Sequence, residues 1–386
     1  LIPIIAVPPA PTFLSVPLSL YIHWPWCVRK CPYCDFNSHE SVPQEASYLD
    51  ALITDLEAAL PAIWGRPIVS VFIGGGTPSL MSGTTVDALL AALRMRLPLL
   101  PGAEITLEAN PGTVEADRFA AYRDAGVNRL SLGIQSFDDR KLAALGRIHS
   151  GIEARRAIDI ALAHFDRVNL DLMVALPEQT IKEARHDIAT AIATGVSHIS
   201  AYHLTLEPNT AFFHAPPPLP DEDLAADMLE MVESELVAVG FEHYETSAFA
   251  KPGQKCHHNL NYWSFGDYLG IGAGAHSKIS DHEGIRREAR PRHPKDYFAD
   301  PLARNWQPVA AEDLPGEFMM NALRLTDGVP LTWFGERTGL SLVTIEKSAL
   351  AGQQQGLLEV ADGRLRPTAL GRRFLNRLIG LFLAAD

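Results

Sequence analysis

The sequence predicts an α/β fold, a parallel sheet of six strands with helical crossovers, followed by an accessory C-terminal domain of helices and a small winged-helix-like hairpin. Three observations predict it. Short strand-like runs alternate with amphipathic helical stretches between residues 18 and 204. The unusual polar residues gather where those runs end. Beyond Pro208 the alternation stops, and prolines, then glycines and aromatics, take over.

The strand-like runs are Leu18 to His23, Ile68 to Ile73, Glu104 to Glu108, Arg129 to Ile134, Val168 to Val174 and His198 to His203. Helical periods lie near 44–60, 84–97, 115–125, 151–164 and 180–194. Strands joined by helices imply a parallel sheet with right-handed crossovers. Their apolar character is expected on both faces, as in a sheet covered by helices. In such a sheet the carboxyl ends of the strands open onto one common face. That face would collect the cysteines, Gly74 to Thr77, Glu108 with Asn110, Gln135, Asp171, and Tyr202 with His203.

Pro216, Pro217, Pro218 and Pro220 make a stiff connector, and Asp221 caps a helix expected to Val239. Later come helical Glu317 to Leu325, a helix near 343–351, a hairpin over Leu357 to Leu365 turning at Asp362-Gly363, and an apolar helix from Thr368 to Leu383. The expected division is a proline-rich extension over 1–17, a strand-and-helix core over 18–208, a connector and core-associated region over 209–311, and a helical domain with a hairpin over 312–386.

Lys and Arg total 33 against 46 Asp and Glu, a formal charge of −13 that repels a nucleic-acid backbone. The one cationic stretch, Arg286, Arg287, Arg290 and Arg292, is interrupted by Glu288 and reads as a surface loop. Pro3, Pro8, Pro9 and Pro11 break any signal helix, and no apolar run reaches membrane-spanning length. A cytoplasmic protein is expected, with peripheral membrane contact and a homodimer left open.

Three of the four cysteines fall in Cys27-Val28-Arg29-Lys30-Cys31-Pro32-Tyr33-Cys34. This clustering favours a reduced compartment and a metal over a disulfide framework. Structural zinc normally takes four ligands in separated pairs, and Cys256 is far away in sequence. Zinc with His23 or His39 as fourth ligand is the plain alternative. A redox dithiol at Cys31 and Cys34 would leave Cys27 without a purpose. Three thiolates on a four-iron cube leave one iron open to a small molecule. Gly74-Gly75-Gly76-Thr77-Pro78 follows a strand directly and matches neither a Walker loop nor a dinucleotide fingerprint. Glycines there let a backbone approach a ligand closely.

The segment Leu20-Tyr21-Ile22-His23-Trp24-Pro25-Trp26-Cys27, continued through Cys34, resembles the signature of radical S-adenosylmethionine (radical SAM) proteins. Within them it is similar to the branch of oxygen-independent coproporphyrinogen oxidase and the bacterial heme chaperones, over Leu18 to Leu383. The resemblance implies a partial (β/α)6 radical-SAM barrel, with a 4Fe–4S cluster on Cys27, Cys31 and Cys34 and S-adenosylmethionine on its open iron. Tyr21 would lie beside that cofactor, and Gly75, Gly76 and Thr77 would line its site. Glu108 and Gln135 would meet its polar edges, Arg147 would pair with its carboxylate, and Asp171 and Leu204 would complete the pocket. The implied chemistry is reductive cleavage of the sulfonium to methionine and a 5′-deoxyadenosyl radical.

Two departures oppose the oxidase. Its further cysteine, two positions past the third ligand, is Phe36 here, and a phenyl ring has no thiol chemistry. The stretch before Tyr21 is also shorter than the oxidase's amino-terminal arm. Conversely, Cys256-His257-His258-Asn259-Leu260-Asn261-Tyr262-Trp263 resembles the heme-handling element of the chaperones. The resemblance implies heme as a third cofactor, with His258 the favoured ligand and His257 and Cys256 as alternatives. It also implies heme-accepting respiratory proteins as partners, while the heme donor and the electron donor stay unidentified.

Overall fold

A computed structural model of the chain describes residues 16–113 and 116–384, so most of the proline-rich extension lies outside the described residues. The six expected strands form as β1 Leu18–Trp24, β2 Ile68–Gly75, β3 Leu99–Ala109, β4 Arg129–Gln135, β5 Val168–Val174 and β6 His198–His203. They lie side by side in chain order and all parallel. The crossovers carry α1 Glu45–Ala59, α2 Gly83–Arg96, α3 Ala116–Ala125, the short α4 Asp139–Ala144, α5 Gly151–His164 and α6 Ile181–Ala193. Their starts are chemically marked. Ser82 caps α2, and Ser150 with Glu153 and Thr180 with Glu183 close reciprocal capping boxes on α5 and α6.

The strands are not apolar on both faces. Leu18, Leu20, Ile22 and Trp24 join the core under the helices, with Val71, Ile73, Ile105, Leu107, Leu130, Leu132, Leu170, Leu172 and Ile199. The intervening positions carry buried polar groups: Ser19, Ser70, Glu104, Thr106, Arg129, Ser131, Asn169, His198 and Ser200. Alternation of this kind gives the sheet one apolar and one polar face. The polar face is held together by itself. Asn169 donates to the Ser131 hydroxyl (2.8 Å), His198 Nδ1 meets Asn169 Oδ1 (2.6 Å), and His198 Nε2 meets the Tyr244 hydroxyl (2.8 Å).

Past β6 the helix capped by Asp221 forms as α7 Glu222–Ala238. The region expected to lack long helices is mostly strand. β7 Glu242–Glu245 and β8 Ala248–Ala250 add antiparallel strands beside β6. After α8 His257–Trp263, β9 Asp267–Ile271 returns beside β1 in parallel, and β10 His276–Asp281, β11 Gly284–Ala289 and β12 Asn305–Pro308 extend that edge. The result is a 12-stranded sheet in the order β12-β11-β10-β9-β1-β2-β3-β4-β5-β6-β8-β7. The arginine stretch is therefore not a surface loop. Arg286 and Arg287 lie on β11, and Arg290 is buried against Asp55 of α1 (2.8 Å). Arg304 pairs with both Asp55 and Glu288, which closes a buried network. The Asp55 partner is distant in sequence, and only the sheet brings it near.

A second apolar core gathers α9 Leu314–Ala322, α10 Leu331–Thr338 and α11 Val343–Gln354 around Phe318, Met319, Phe334, Ile345 and Leu365. A hairpin of β14 Leu358–Ala361 and β15 Arg364–Pro367, with β13 Val329–Pro330 at its side, covers them. Asp362 and Gly363 both take positive φ, 52° and 70°, the turn a tight hairpin needs. The expected final helix breaks at Phe374 into Ala369–Arg373 and Leu375–Gly380, and docks Leu378 and Phe382 into this core. Among the described residues no helix is long and apolar enough to cross a membrane.

Helix α8 crosses the polar face of the sheet and is tied there by Glu104. That buried carboxylate accepts from the His257 and His258 backbone N–H groups (3.1 and 3.0 Å) and from the Cys256 thiol (3.4 Å). It also pairs with Arg167 (2.9 Å). Burial raises its pKa, but Arg129, Arg167 and the two N–H groups prevail and hold it below the usual value. Glu104→Ala is expected to lower unfolding free energy by about 3–5 kcal/mol, because two arginines and a helix start lose their counter-charge. Chemical denaturation should show this, with Glu104→Gln less affected; an unchanged midpoint for both would refute the anchoring role.

Candidate cofactor site

The cysteine loop leaves β1 through Trp24 and Trp26, whose rings meet edge-on at 4.8 Å and both pack on Tyr48. Residues Trp26–Cys27 then pair with His39–Glu40, so the loop between them is closed at its base. Glu40 accepts from the Lys30 backbone N–H (2.6 Å), and the Cys34 N–H donates to the Cys31 carbonyl (3.1 Å). Cys27 is buried, whereas Cys31 and Cys34 are half-buried, and all three line one cavity. Burial pushes the Cys27 and Cys34 thiols up, and each feels the charge of its neighbours. Two donors are already aimed at sulfur. Thr77 Oγ1 lies 3.5 Å from Cys27 Sγ, and Arg147 Nη1 lies 3.6 Å from Cys31 Sγ.

Whether these residues suit an iron–sulfur group turns on what surrounds them. Of the two alternative zinc ligands, His23 is engaged on both nitrogens, with the Asn37 carbonyl (2.8 Å) and the Tyr21 hydroxyl (3.0 Å), and His39 packs edge-on against the His293 ring (4.9 Å). No set of three or more His, Cys, Asp or Glu among the described residues is placed to hold a single metal ion. Three thiols on a cavity wall with N–H and O–H donors directed at sulfur are what a sulfur-ligated cluster requires. The residues present fit the group.

The glycines serve the protein's own backbone first. A Cβ on Gly75, whose φ is +115°, would stand 2.7 Å from the His23 ring. One on Gly76 would press into the Trp26 carbonyl. The Gly76 and Thr77 N–H groups donate to the Trp24 and Trp26 carbonyls (2.6 and 2.7 Å), so the glycine loop is stitched directly to the cysteine loop. A Cβ on Gly74 would meet Glu108 Oε2 at 2.9 Å.

That Glu108 oxygen accepts from the Gly75 N–H (3.0 Å), while burial and then nearby Asp171 push its carboxyl up to about 8. Asp171 is raised as well, chiefly by burial, although Ser131 and Asn169 both donate to it (2.9 and 2.8 Å). Gln135 stands beyond a register shift in β4 with φ at 68°, a conformation that points its side chain differently from the strand's alternation. Arg147 bridges the Gly133 carbonyl (2.6 Å) and Cys31, and its Nε is buried without a partner.

Gly75, Gly76, Thr77, Glu108, Gln135, Arg147 and Asp171 thus share a cavity of about 600 Å³ with the three cysteines. Its size suits a cofactor. Phe36 stands at its rim. Three expected residues are not on its wall. Tyr21 lies deeper, against Phe72, with its hydroxyl on His23. Leu204 packs in an apolar cluster with Leu145, Leu176 and Phe212 behind Met173, which does reach the wall. His258 is the clearest departure. It is 6% exposed, its Nδ1 lies 3.1 Å from the Ser70 hydroxyl, and its ring packs on Phe72 at 4.9 Å. Held there, its imidazole meets Ser70 and Phe72 and is not on the cavity wall. Cys256 is equally enclosed, its thiol pushed up to about 12 by burial, whereas His257 is exposed. Wall residues that sequence reasoning did not single out as ligand-binding include Tyr33, Ser131, Thr205, Glu207, Ser247 and Arg324. Tyr33 sat inside the cysteine motif, but nothing in the sequence links Arg324 to the strand ends.

A carboxyl that keeps its proton to about 8 when folded, against 4.5 ordinarily, loses ground to the unfolded state as pH rises between those values. The cofactor-free protein should therefore melt at progressively lower temperature from about pH 5 to about pH 8, and Glu108→Gln should flatten part of that slope. Parallel melting curves for the two proteins would show that Glu108 is not held protonated.

Comparison with known proteins agrees with this geometry. Residues 21–191 match the profile of the radical SAM superfamily, and residues 309–374 match that of the HemN C-terminal domain. Heme chaperone HemW of Escherichia coli strain K12 is 49% identical over 373 residues, covering 95% of this chain and 98% of that one. Heme chaperone HemW of Haemophilus influenzae is 48% identical over 379 residues, covering 96% and 99%. Among solved structures, coproporphyrinogen III oxidase (HemN) from Escherichia coli, a radical SAM enzyme, superposes with a TM-score of 0.80 at 23% identity, over 96% of this chain and 90% of that one, a likeness of fold. The chain therefore belongs to the radical SAM superfamily, and within it to the family of the heme chaperone HemW.

Proposed function

We propose that this protein is a heme chaperone, binding heme and passing it to recipient hemoproteins, with a 4Fe–4S cluster and S-adenosylmethionine held at the strand-end cavity. Membership of the superfamily implies the cluster and S-adenosylmethionine. One observation carries the heme reading: identity of 49% spread over 95% of the chain with a protein named for that role. Phe36 at the cavity rim, in place of a cysteine, supports it against porphyrinogen decarboxylation.

In this reading Cys27, Cys31 and Cys34 hold the cluster, and Thr77 and Arg147 donate toward its sulfur ligands. When bound, the cluster supplies an electron to the sulfonium of S-adenosylmethionine. The protein's own part is placement and shielding. Gly75, Gly76 and Gln135 line the space the cofactor would take, and the Glu108 carboxyl, pushed up to about 8 by burial, accepts the Gly75 N–H. Tyr262 and Trp263, half-buried on α8, offer aromatic surface beside the sheet interior.

Anaerobic purification with iron and sulfide quantification, followed by separate titrations with heme and coproporphyrinogen III, tests the proposal. Expected are equal amounts of iron and sulfide, a spectroscopic response of the cluster to S-adenosylmethionine, and stable stoichiometric heme binding without porphyrinogen turnover. A Cys31→Ala, Cys34→Ala double variant should lose the iron. Conversion of coproporphyrinogen III to protoporphyrinogen IX, or no heme binding, would overturn the assignment.

A further inference from the structure

Arg324 reaches the cofactor cavity from outside the strand-and-helix core. It follows α9, in the part of the chain that matches the HemN C-terminal domain. Its backbone is fixed at the edge of the sheet. The Thr246 N–H donates to its carbonyl (2.9 Å), and the next residue, Leu325, bridges Glu245 in antiparallel fashion. Ser247, two residues from Glu245, accepts from the Ala201 N–H (2.7 Å), which sets Ser247 beside Tyr202 at the end of β6. Tyr202, Ser247 and Arg324 all line the cavity.

The guanidinium is presented rather than consumed. Its carbon lies 4.4 Å from the centre of the Trp263 ring, so an indole plane supports it from behind. Its Nε is buried without a hydrogen-bond partner. Glu245 is the nearby acid and feels the Arg324 charge, but no hydrogen bond joins them: Glu245 Oε2 is also buried without a partner. Arg147, the other arginine on the cavity wall, already spans the Gly133 carbonyl and Cys31. A buried donor left unmade costs free energy, and a planar fork backed by an aromatic ring is matched by a carboxylate.

We infer that Arg324, supported on Trp263, receives a carboxylate of the bound ligand, and that this carboxylate is a propionate of heme. The inference rests on the heme reading above and adds to it the residue that recognises the macrocycle's acidic edge. It also gives the C-terminal domain a direct part in the site.

The cluster-loaded protein, Arg324→Gln and Arg324→Lys are titrated with heme, with heme dimethyl ester and with S-adenosylmethionine. Iron content and melting temperature confirm that the variants fold. Arg324→Gln is expected to weaken heme binding about tenfold or more, with Arg324→Lys in between. The dimethyl ester, which lacks the charge, should bind the unaltered protein and Arg324→Gln equally. Heme affinity unchanged in Arg324→Gln would overturn the inference alone. A loss of S-adenosylmethionine affinity instead would reassign Arg324 to that cofactor's carboxylate and equally overturn it. Failure of the unaltered protein to bind heme would overturn the heme reading, and the inference with it.

Discussion

The polar face of the sheet depends on one buried carboxylate. Glu104 draws the start of α8 onto that face with three donors while holding Arg167 and feeling Arg129. A sheet lined with serine, asparagine, histidine and arginine cannot be buried under apolar cover, since each group would lose water without gaining a partner. Closing it near the amino-terminal half of the strands with a helix that brings its own N–H groups solves this. Asn261 of the same helix donates to the Ser19 hydroxyl (2.9 Å) and to the Asp267 carbonyl (2.9 Å), so the closure reaches β1 and β9 as well. His258 belongs to this closure, which is why its imidazole meets Ser70 and Phe72 and not the cavity.

With that end closed, the carboxyl ends of the same strands remain as a cavity, and its properties follow from being an extension of a desolvated interior. Burial raises the pKa of both Glu108 and Asp171, and the nearby Asp171 charge raises Glu108 further. The two loops that form the rim are bound to each other by backbone hydrogen bonds from Gly76 and Thr77 to Trp24 and Trp26. The base of the cysteine loop, next to Cys27, is thereby fixed to the glycine loop. Preorganisation of this kind lets a ligand be bound without first ordering the loop.

The order of strands and helices was legible in the sequence because periodicity reports local burial, and the cysteine spacing was legible because three thiols so close together have few uses. The polar face was harder to read. Ser19, Tyr21 and His23 alternate with Leu18, Leu20 and Ile22, but a few polar residues in an apolar run are easily taken for tolerance. What they face is a matter of how the sheet curves. That the histidine on α8 lies away from the strand-end cavity was hidden for a related reason. A motif names residue types, and whether an imidazole opens to a ligand or to Ser70 is decided by which side of a seven-residue helix meets the sheet. Arg290 and Arg324 show the remaining limit, since Asp55 and the strand-end cavity come to them only through pairings between distant segments.

Those pairings also explain why the C-terminal domain is not a detached appendage. Its own apolar core takes in Phe265 and Ile285 from the sheet region, and Arg337, stacked on Trp333, donates to the Ser264 carbonyl just past α8. The helix that closes the polar face is thus held from below by Glu104 and from the side by this domain. A change at the Arg337 contact would be felt by Trp263, one residue before Ser264, and so by the guanidinium of Arg324 resting on it. The accessory domain and the closing helix form one mechanical unit at the flank of the cavity, and the side chain that unit projects into the cavity is a cation.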